Sequence, residues 1–428
     1  YKGWSKGTTT SIGSGRHLGH FAALWRPFQY KQPAKAPINP YDKNGRQQSK
    51  KQQQQDTADE YEAIDDQRQS IIHLHHLMIQ IAIKNRHVYQ RWLDIITQML
   101  EKDPGSPKIF RLRIIHLYEC DYNLILGIYF RALQQHLEDT NRLNDGCFRG
   151  RPNRRAIDPV LIDVTQTEIA MITRRTLIRF NNDMKSCFDR IMAHIALLNI
   201  QSYGMPQDLA SIMGDFLQYA RYYVKTGIGV SNTSYSHSRD SPVFGTGQGS
   251  TASMYIWGTL VSRLVDIHER VGHGAAYSYP DGCNGPLLDI VIAILSFVDD
   301  CNLSNTGEKH ETVKDILRRT QEDAQLWNDL IRSSGGALQL TKCFMQVLQF
   351  VFATNGAPVI DTPNESCKVT LTDRNTERQI IIDPISPYTT YKSVGKHQGI
   401  SERSSAQFQT LQKKTLPLLR ALVGAPVT

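Results

Sequence analysis

The sequence lacks cysteine pairs that could define a disulfide framework or a zinc module. Its seven cysteines stand at wide, irregular spacings, and no Cys-x-x-Cys pair occurs. An odd number of scattered cysteines argues against both a disulfide scaffold and a zinc-binding module. We therefore expect reduced thiols.

Long hydrophobic runs and targeting signals are also missing. The run Leu287–Val298 is interrupted by Asp289 and falls short of the roughly 18–20 apolar residues that span a bilayer, so no membrane partner is expected. The chain begins at Tyr1 without an initiator Met or a signal-peptide pattern, and we interpret it as a fragment or a processed chain for which secretion is not expected.

The composition is that of a globular protein with a basic excess. Of the 428 residues, 40% are hydrophobic, 21% charged and 9% aromatic, which are ordinary values for folded domains. Such a length allows roughly two to four folding units. The 49 lysines and arginines exceed the 41 aspartates and glutamates by 8, and this excess is compatible with a polyanionic partner.

The polarity pattern separates a linker from a longer region of alternating helices and strands. Gln32–Asp59 contains three prolines and a Gln- and Lys-rich tract without periodic apolar positions, which is typical of a flexible linker. Apolar residues at helical spacing then predict two helices, over 71–81 and 92–99. From Pro104 onward the pattern predicts strands at Thr176–Asp183, Leu288–Val298 and Cys343–Phe352, helices at Asn123–Leu137, Pro159–Arg174, Gln207–Lys225, Thr251–Arg270 and Glu308–Ile331, and a hairpin at Lys368–Ile382.

Three carboxylates are expected at the ends of two strands. Leu288–Val298 is almost continuously apolar, as in a strand buried on both faces, and it stops at Asp299 and Asp300, while Asp183 ends another strand. Burying adjacent carboxylates costs several kcal/mol unless a cation or hydrogen bonds compensate, although an isolated Asp-Asp pair also suits a solvated turn. Hard oxygen ligands of this kind favour Mg²⁺.

A glycine-rich segment between the two strands completes an ordered set of motifs. Its small residues let the backbone approach a ligand, to which Gln248 can hydrogen-bond. The chain carries, in this order, Asp183-x-x-x-x-Phe188-Asp189, Gly245-x-x-Gln248-Gly249, Phe297-Val-Asp-Asp300 and Leu338-Gln-Leu-Thr-Lys342. This order resembles that of the reverse transcriptases, most closely those of non-LTR (LINE-like) retrotransposons, from about Pro104 to Gly395.

The resemblance implies an α+β fold with an α/β palm, namely a right-hand polymerase with fingers, palm and a partial thumb. The implied domains are an N-terminal extension (1–31), the linker (32–59), a helical region leading into the fingers (60–103), the fingers (104–175), a palm with inserted fingers helices and a glycine-rich insertion (176–395, with the insertion at 272–286) and the start of a thumb (396–428).

The same resemblance assigns catalytic roles residue by residue. Asp183 falls on the first catalytic carboxylate of the family, and Asp299 and Asp300 fall on its Asp-Asp pair, so that all three would bind metal. Lys342 matches a lysine that is a candidate general acid for the departing pyrophosphate. Phe188 matches the bulky side chain that packs under the sugar and excludes a 2′-hydroxyl. A solvated lysine and a core aromatic are the alternatives at the last two positions.

Binding roles follow from the remaining motifs. Gln248 and Gly249 match the loop that borders the incoming nucleotide and the template base. Arg111 and Arg113 would face triphosphate or template phosphate, where a guanidinium can bind two oxygens at once. Gly395 lies in a turn similar to the primer grip. The arginines of a basic loop would contact the template strand, with a solvated loop as the alternative: Arg149, Arg151, Arg154 and Arg155.

The resemblance implies an RNA-directed DNA polymerase that uses two Mg²⁺ ions, or Mn²⁺ in their place, to join dNTPs to a primer 3′-end. Its partners would be an RNA template, a DNA primer and dNTPs, in an intracellular setting, with nucleus and cytoplasm not distinguished. Two alternatives stay open. An RNA-directed RNA polymerase is disfavoured by Phe188 and by the absence of a glycine before the Asp-Asp pair. A domesticated copy would bind nucleic acid without polymerising.

Overall fold

Helices and strands are mixed throughout the part of the chain that the structure describes. The structure is a computed structural model, and it describes residues 69–102, 105, 108, 112–241, 243–280, 285–308, 310–364, 366–373, 376–393, 396–400 and 405–423. The predicted N-terminal extension and linker, together with Arg111 and Gly395, lie outside these residues. The observed mixture confirms the α+β class predicted from the sequence.

The elements and their grouping are as follows. The helices are α1 (69–84), α2 (Cys120–Asp139), α3 (Ile157–Thr173), α4 (Cys187–Arg190), α5 (Ala193–Ser202), α6 (Gln207–Tyr219), α7 (Ser253–Val271), α8 (Val313–Ser333) and α9 (Ser405–Val423). The strands are β1 (Asp94–Glu101), β2 (Leu112–Leu117), β3 (Leu177–Asp183), β4 (Arg221–Lys225), β5 (Ala275–Pro280), β6 (Leu287–Ile292), β7 (Ile294–Phe297), β8 (Asp300–Thr306), β9 (Phe344–Phe352), β10 (Pro358–Asp361), β11 (Val369–Asp373), β12 (Arg378–Ile382), β13 (Pro384–Ile385), β14 (Tyr391–Ser393) and β15 (Lys396–Gln398). The described residues of Tyr1–Tyr129, Gly204–Val243 and Gly247–Ala252 form a first compact unit, and those of Phe130–Tyr203, Phe244–Thr246 and Ser253–Thr428 form a second.

The first unit contains a three-stranded sheet in the order β2-β1-β4. The central strand β1 pairs antiparallel with β2 and parallel with β4. The helix predicted over 92–99 is therefore wrong, and the predicted helical region 60–103 contains a strand. The β-branched Ile95, Ile96 and Thr97 favour extended backbone, and burial alternates along them, with Ile95 and Thr97 buried. Burial in this segment alternates with the period of two residues that is typical of a strand, although its apolar residues also recur at helical spacing.

The helix predicted over Gln207–Lys225 is correct only in its first part. Helix α6 ends at Tyr219, and Ala220 has extended backbone with φ −58° and ψ 139°. Residues Arg221–Lys225 form β4 beside β1. The run Tyr-Tyr-Val inside β4 consists of residues that favour strands, and pairing with β1 outweighs helical continuation.

The second unit is built on a sheet with the strand order β10-β9-β3-β8-β7, in which β13 also pairs with β9. Strand β3 is antiparallel to both of its neighbours, β8 and β9, and it confirms the strand predicted at Thr176–Asp183. Its residues Leu177, Ile178 and Phe180 are fully buried. Helix α8 contacts β3 and β8 and buries Trp327 among them. A fully buried central strand of this kind fixes where its last residue, Asp183, lies.

The long apolar strand predicted at Leu288–Val298 is wrong as a single buried element. The chain breaks at Ala293 into β6 and β7, which belong to different sheets. Strand β6 forms a hairpin with β5 and is exposed, with Leu287 at 69% and Val291 at 58%. Only β7 joins the central sheet, where it pairs with β8 and is mostly buried. The apolar run 288–298 is therefore divided between two sheets, and hydrophobicity alone does not indicate where the strand breaks.

The other predicted elements lie where the sequence placed them. Helices α2, α3, α7 and α8 overlap the four predicted helical segments of the central region, although α8 begins at Val313 and the prediction began at Glu308, and β9 matches the strand predicted around Cys343–Phe352. Strands β11 and β12 pair antiparallel and confirm the hairpin predicted at Lys368–Ile382. The described part of the predicted thumb start contains β15 and helix α9.

Candidate functional site

The three predicted carboxylates meet at one edge of the central sheet. Asp183 is the last residue of β3 and Asp300 is the first residue of β8, and the two are paired directly in the antiparallel register. Paired residues of adjacent antiparallel strands have Cα atoms roughly 4.5–5.5 Å apart. Asp299 precedes Asp300 in the connecting turn, and all three side chains belong to partly buried residues. We call these three residues the carboxylate edge.

The turn that carries Asp299 has an unusual backbone. Phe297 pairs with Asp300, so Val298 and Asp299 form a two-residue connection between β7 and β8. Of these two, Val298 alone has a positive φ, +65°, as at the first central position of a type II′ turn, where glycine is usual. A β-branched residue in this region stores about 1–3 kcal/mol of strain and persists only where its surroundings hold it.

Two hydrogen bonds hold this turn from different elements. The backbone N–H of Met184, directly after β3, donates to the Asp299 carbonyl at 2.9 Å. The indole Nε1–H of Trp257, on α7, donates to the Val298 carbonyl at 2.7 Å. Both carbonyls of the turn are therefore fixed. No sequence pattern indicates the Trp257 contact, because a side chain bound to a distant carbonyl has no characteristic spacing.

Lys342 supplies a positive charge to the carboxylate edge. Its Nζ lies 2.7 Å from Asp183 Oδ2. The Gln339 N–H donates to the Asp183 carbonyl at 2.7 Å, and this bond joins the segment 339–342 to the end of β3. The hydrogen bond to Asp183, together with the negative charges of Asp183, Asp299 and Asp300, raises the pKa of Lys342. The ammonium is thus protonated at neutral pH, and its side chain is 64% exposed.

The donor set at this edge fits a hard divalent cation. Burial, with a smaller contribution from the charge of Asp299, raises the pKa of the neighbouring Cys187 thiol to about 12, and burial raises the pKa of Cys343 to about 11. Both thiols therefore stay protonated, and they offer no soft thiolate ligand. The remaining donors are carboxylate oxygens, which suit Mg²⁺. The Lys342 ammonium already binds an Asp183 carboxylate oxygen, which indicates the negative potential that a divalent cation needs.

Phe188 lies next to the elements that support the turn. It belongs to α4, where its carbonyl accepts a hydrogen bond from the Thr246 N–H at 2.8 Å. Its ring meets that of Trp257 edge to face, with centroids 6.5 Å apart and planes at 69°. This geometry is a favourable one for aromatic pairs. The aromatic residue predicted beside the sugar is thus half-buried against a fixed partner.

The predicted nucleotide loop lies in the first unit, against β2. The His116 N–H donates to the Gln248 carbonyl at 2.7 Å. Gly249 has φ +126°, and a Cβ there would lie 2.1 Å from the His116 carbonyl oxygen, so only glycine fits. Burial lowers the pKa of His116 to about 4, and this side chain is neutral. Arg113, on the same strand, is exposed.

The basic loop, which we define as residues 149–155, is anchored beside β7. The Phe148 N–H donates to the Ser296 carbonyl at 3.0 Å, and the Ser296 N–H donates to the Gly146 carbonyl at 2.8 Å. The guanidinium of Arg149 lies over the Phe297 ring, 5.5 Å from its centroid. Because Phe297 directly precedes the turn of the carboxylate edge, the loop brings an exposed arginine next to that turn.

The four arginines of the basic loop differ in how they are used. Arg151 is 7% exposed, donates from Nε and Nη2 to the Glu138 carboxylate at 3.0 and 2.9 Å, and donates from Nη1 to the Asn144 carbonyl at 2.7 Å. Arg154 binds Asp145 and lies over the Phe148 ring. Arg149 and Arg155 are exposed. The geometry thus gives Arg151 a structural role and leaves Arg149 and Arg155 facing solvent.

A second acidic cluster, which sequence reasoning did not single out, lies in the first unit. Oxygen and sulfur atoms of Glu119, Cys120 and Asp121 lie within 4.8 Å of one another, and all three residues are buried. Asp121 forms an ion pair with Arg91, and His75 Nε2 lies 3.2 Å from its carboxylate. An arginine therefore already compensates this cluster, and its arrangement is that of a buried ion pair.

Among the described residues, no helix is both long and apolar enough to cross a membrane.

Comparisons with known proteins give matches among solved structures alone. No family model and no curated protein matches the chain. Telomerase from Candida tropicalis in complex with a TWJ fragment of telomeric RNA is 15% identical, with a TM-score of 0.42 over 61% of this chain. The apo telomerase of the same organism, truncated from the C-terminal domain, is 13% identical, with a TM-score of 0.41 over 68% of this chain. Telomerase from Candida albicans with the same kind of RNA fragment is 12% identical, with a TM-score of 0.40 over 64% of this chain. The chain spans 42%, 56% and 44% of the length of these three proteins.

Proposed function

We propose that the chain is an RNA-directed DNA polymerase of a retrotransposon-like element, which joins dNTPs to a primer 3′-end. One observation supports this proposal most strongly, the meeting of Asp183, Asp299 and Asp300 at the ends of paired strands with Lys342 beside them. Three converging carboxylates with a protonated amine at their side suit phosphoryl chemistry, in which positioning and charge stabilisation provide most of the catalysis.

The carboxylate edge would hold Mg²⁺, or Mn²⁺ in its place. A pair of such ions, when bound, activates the primer 3′-hydroxyl and neutralises charge on the leaving phosphate. The protein keeps Asp183 and Asp300 together through the register of β3 against β8. It keeps Asp299 beside them through the fixed turn.

Lys342 would act on the departing pyrophosphate. Its raised pKa keeps a proton on Nζ, and its exposed side chain has room to leave Asp183. An ammonium in this place can donate that proton or neutralise the developing charge.

Further residues have proposed binding roles within each compact unit. In the second unit, Phe188 would border the sugar of the nucleotide and exclude a 2′-hydroxyl. In the first unit, Gln248, Gly249 and Arg113 would bind nucleotide or template. Arg149 and Arg155 would contact template phosphates. Contacts of this last kind are independent of base sequence and weaken steeply with salt.

The experiment that tests the proposal is primer extension with paired variants. A labelled DNA primer on an RNA template is incubated with dNTPs and Mg²⁺, and RNA binding is measured separately by filter retention. We expect Asp299→Asn to abolish extension and to leave RNA binding nearly intact. Asp289→Asn is the matched control, because Asp289 is an exposed aspartate of β6 that is hydrogen-bonded to Ser278.

The outcomes separate the proposal from its alternatives. Extension that is equal in both variants would remove the carboxylate edge from the reaction. Salt-sensitive RNA binding without any extension by the wild-type chain would favour a domesticated binding domain. Efficient incorporation of NTPs by the wild-type chain would favour an RNA polymerase.

Phe188 provides a test of sugar selection in the same assay. We expect Phe188→Val to admit ribonucleotides and to lower the preference for dNTP over NTP by about 10- to 100-fold, the range associated with a change in pocket shape. Unaltered selectivity would leave Phe188 as a core aromatic. The ratio of kcat/KM values for dTTP and UTP on the same template measures this effect.

A further inference from the structure

A buried tryptophan connects two separate parts of the candidate site. Trp257 is 2% exposed, its indole N–H donates to the carbonyl of Val298 at 2.7 Å, and its ring packs edge to face against Phe188. We propose that Trp257 is a positioning residue, which holds the turn before Asp300 in the conformation that directs Asp299 toward Asp183. This inference rests on the proposed polymerase function and deepens it.

The backbone of Val298 explains why the turn needs such a contact. A valine with φ +65° is strained, because its branched Cβ approaches the backbone in the left-handed region. Without an external restraint the turn would relax toward negative φ, and the peptide that follows, which carries Asp299, would rotate with it. The Met184 N–H restrains the Asp299 carbonyl, while Trp257 restrains the Val298 carbonyl.

A second tryptophan shows which feature of Trp257 matters. Trp327, on α8, is fully buried, and its Nε1–H donates to Asn182 Oδ1 at 3.2 Å. Both side chains fill the interior and satisfy their N–H group, as buried tryptophans usually do. The acceptors differ, since Trp257 binds the carbonyl of a residue with left-handed backbone inside the turn of the carboxylate edge, whereas Trp327 binds a side chain. Phenylalanine at either position keeps a ring and loses the donor.

Phe188 supplies the second consequence of the same contact. Its ring lies against the Trp257 ring. Trp257 therefore contacts both Phe188, which we assign to sugar selection, and the turn that carries Asp299. Loss of the N–H alone would disturb the turn and leave the ring contact. Loss of the whole indole would disturb both.

The test compares Trp257→Phe and Trp327→Phe in the full chain, each with Val298 and with Val298→Gly. Mn²⁺ binding is followed by electron paramagnetic resonance, and primer extension gives kcat and KM. We expect Trp257→Phe to weaken Mn²⁺ binding and to lower kcat by about 10-fold, the lower end of what loss of a supporting contact costs a metal site. Trp327→Phe should weaken Mn²⁺ binding less than Trp257→Phe does, because it removes a hydrogen bond to a side chain of β3 and leaves the turn intact.

The glycine background gives the decisive readout. Glycine adopts a positive φ without strain, so a Val298→Gly turn has less need of the indole. We expect Trp257→Phe to lose little further Mn²⁺ affinity in that background, a non-additive result that indicates coupling between the two positions. Additive losses, or a Trp257→Phe chain that unfolds in both backgrounds, would make Trp257 a core residue and overturn the inference.

The two proposals fail in different ways. A wild-type chain that binds Mn²⁺ but extends no primer would contradict the polymerase function, while coupling between Trp257 and Val298 would still be measured by Mn²⁺ binding. A wild-type chain that extends primers, with Trp257→Phe indistinguishable from Trp327→Phe, would overturn the role of Trp257 alone.

Discussion

Two charged regions of the second unit, the carboxylate edge and the basic loop, differ in how exposed their cationic side chains are. At the carboxylate edge, the exposed amine of Lys342 forms an ion pair with Asp183, and the charges of all three aspartates help to raise the pKa of that amine. In the basic loop, Arg151 is saturated by Glu138 and backbone carbonyls, and Arg154 is bound to Asp145. Two of the four loop arginines are therefore bound by internal partners, whereas the cation beside Asp183 is an exposed amine.

The difference has a physical origin in how each charge is positioned. A carboxylate at a strand end is placed by backbone pairing, so Asp183 and Asp300 meet whatever their charges, and the electrostatic cost is met by cations. An arginine has a long side chain that can seek a partner, and Arg151 reaches across to α2 to find one. A motif match thus predicts where a short charged side chain lies. It predicts less well whether a long one is free to bind a ligand.

The largest expected effect lies at the carboxylate edge. We predict that Asp183→Asn lowers the rate of primer extension about 1000-fold, because the several kcal/mol of charge stabilisation that a metal site supplies correspond to about that factor. Single-turnover extension measures the loss. An extension rate of the Asp183→Asn chain within 10-fold of wild type would contradict the catalytic role that distinguishes the carboxylate edge from the basic loop.

Lys342 tests whether the cation of that edge acts in the reaction. We predict that Lys342→Met lowers kcat about 100-fold, the lower range for a positioned proton donor, and that Lys342→Arg, which keeps the charge, retains more activity. The pKa of Lys342 is raised above its ordinary value of 10.5. Its pair with Asp183 therefore contributes fully to stability below that pH and is lost as the pH rises through the higher folded-state pKa. A Lys342→Met chain with unchanged kcat would make it a surface lysine.

Arg151 tests the structural side of the comparison. We predict that Arg151→Ala lowers the free energy of unfolding by about 3 kcal/mol, because it leaves the largely buried Glu138 carboxylate without its cationic partner. Urea denaturation measures this change. Arg155→Ala is the control, since an exposed side chain should alter stability by less than about 0.5 kcal/mol. Equal stability of the two variants would contradict the structural assignment.

Arg149 tests the binding side and carries the smallest expected effect. We predict that Arg149→Ala reduces the slope of log K against log salt for RNA binding by about 1, as the loss of one phosphate contact does, and lowers the unfolding free energy by less than about 1 kcal/mol through loss of the contact with Phe297. Binding titrations at several salt concentrations provide the slope. If Arg151→Ala changed the slope and Arg149→Ala did not, Arg151 would be the RNA-binding arginine, which would contradict our assignment of the two residues.

The sequence predicted the fold class and the strand-end positions of the carboxylates because both depend on local pattern. The buried run of β3 and the position of Asp183 at its end follow from strand propensity and polarity. The errors arose where tertiary pairing overrode the local signal. The segment 92–99 became the central strand β1, and the run 288–298 was divided between two sheets at Ala293.

The contacts of single side chains could not be predicted in this way. Trp257 reaches the Val298 carbonyl across 41 positions of sequence, and Arg151 reaches Glu138 across 13. Neither spacing has a periodic signature, and each contact depends on how the surrounding elements pack. The positive φ of Val298 is equally hidden, because glycine is the residue that normally signals such a turn.

The most direct test of the central claim is extension of a DNA primer on an RNA template with dNTPs and Mg²⁺, comparing wild type with the Asp183→Ala/Asp299→Ala double variant. We expect deoxynucleotide incorporation by the wild-type chain and none by the double variant, with RNA binding retained in both. Incorporation that survives loss of both carboxylates would contradict this claim.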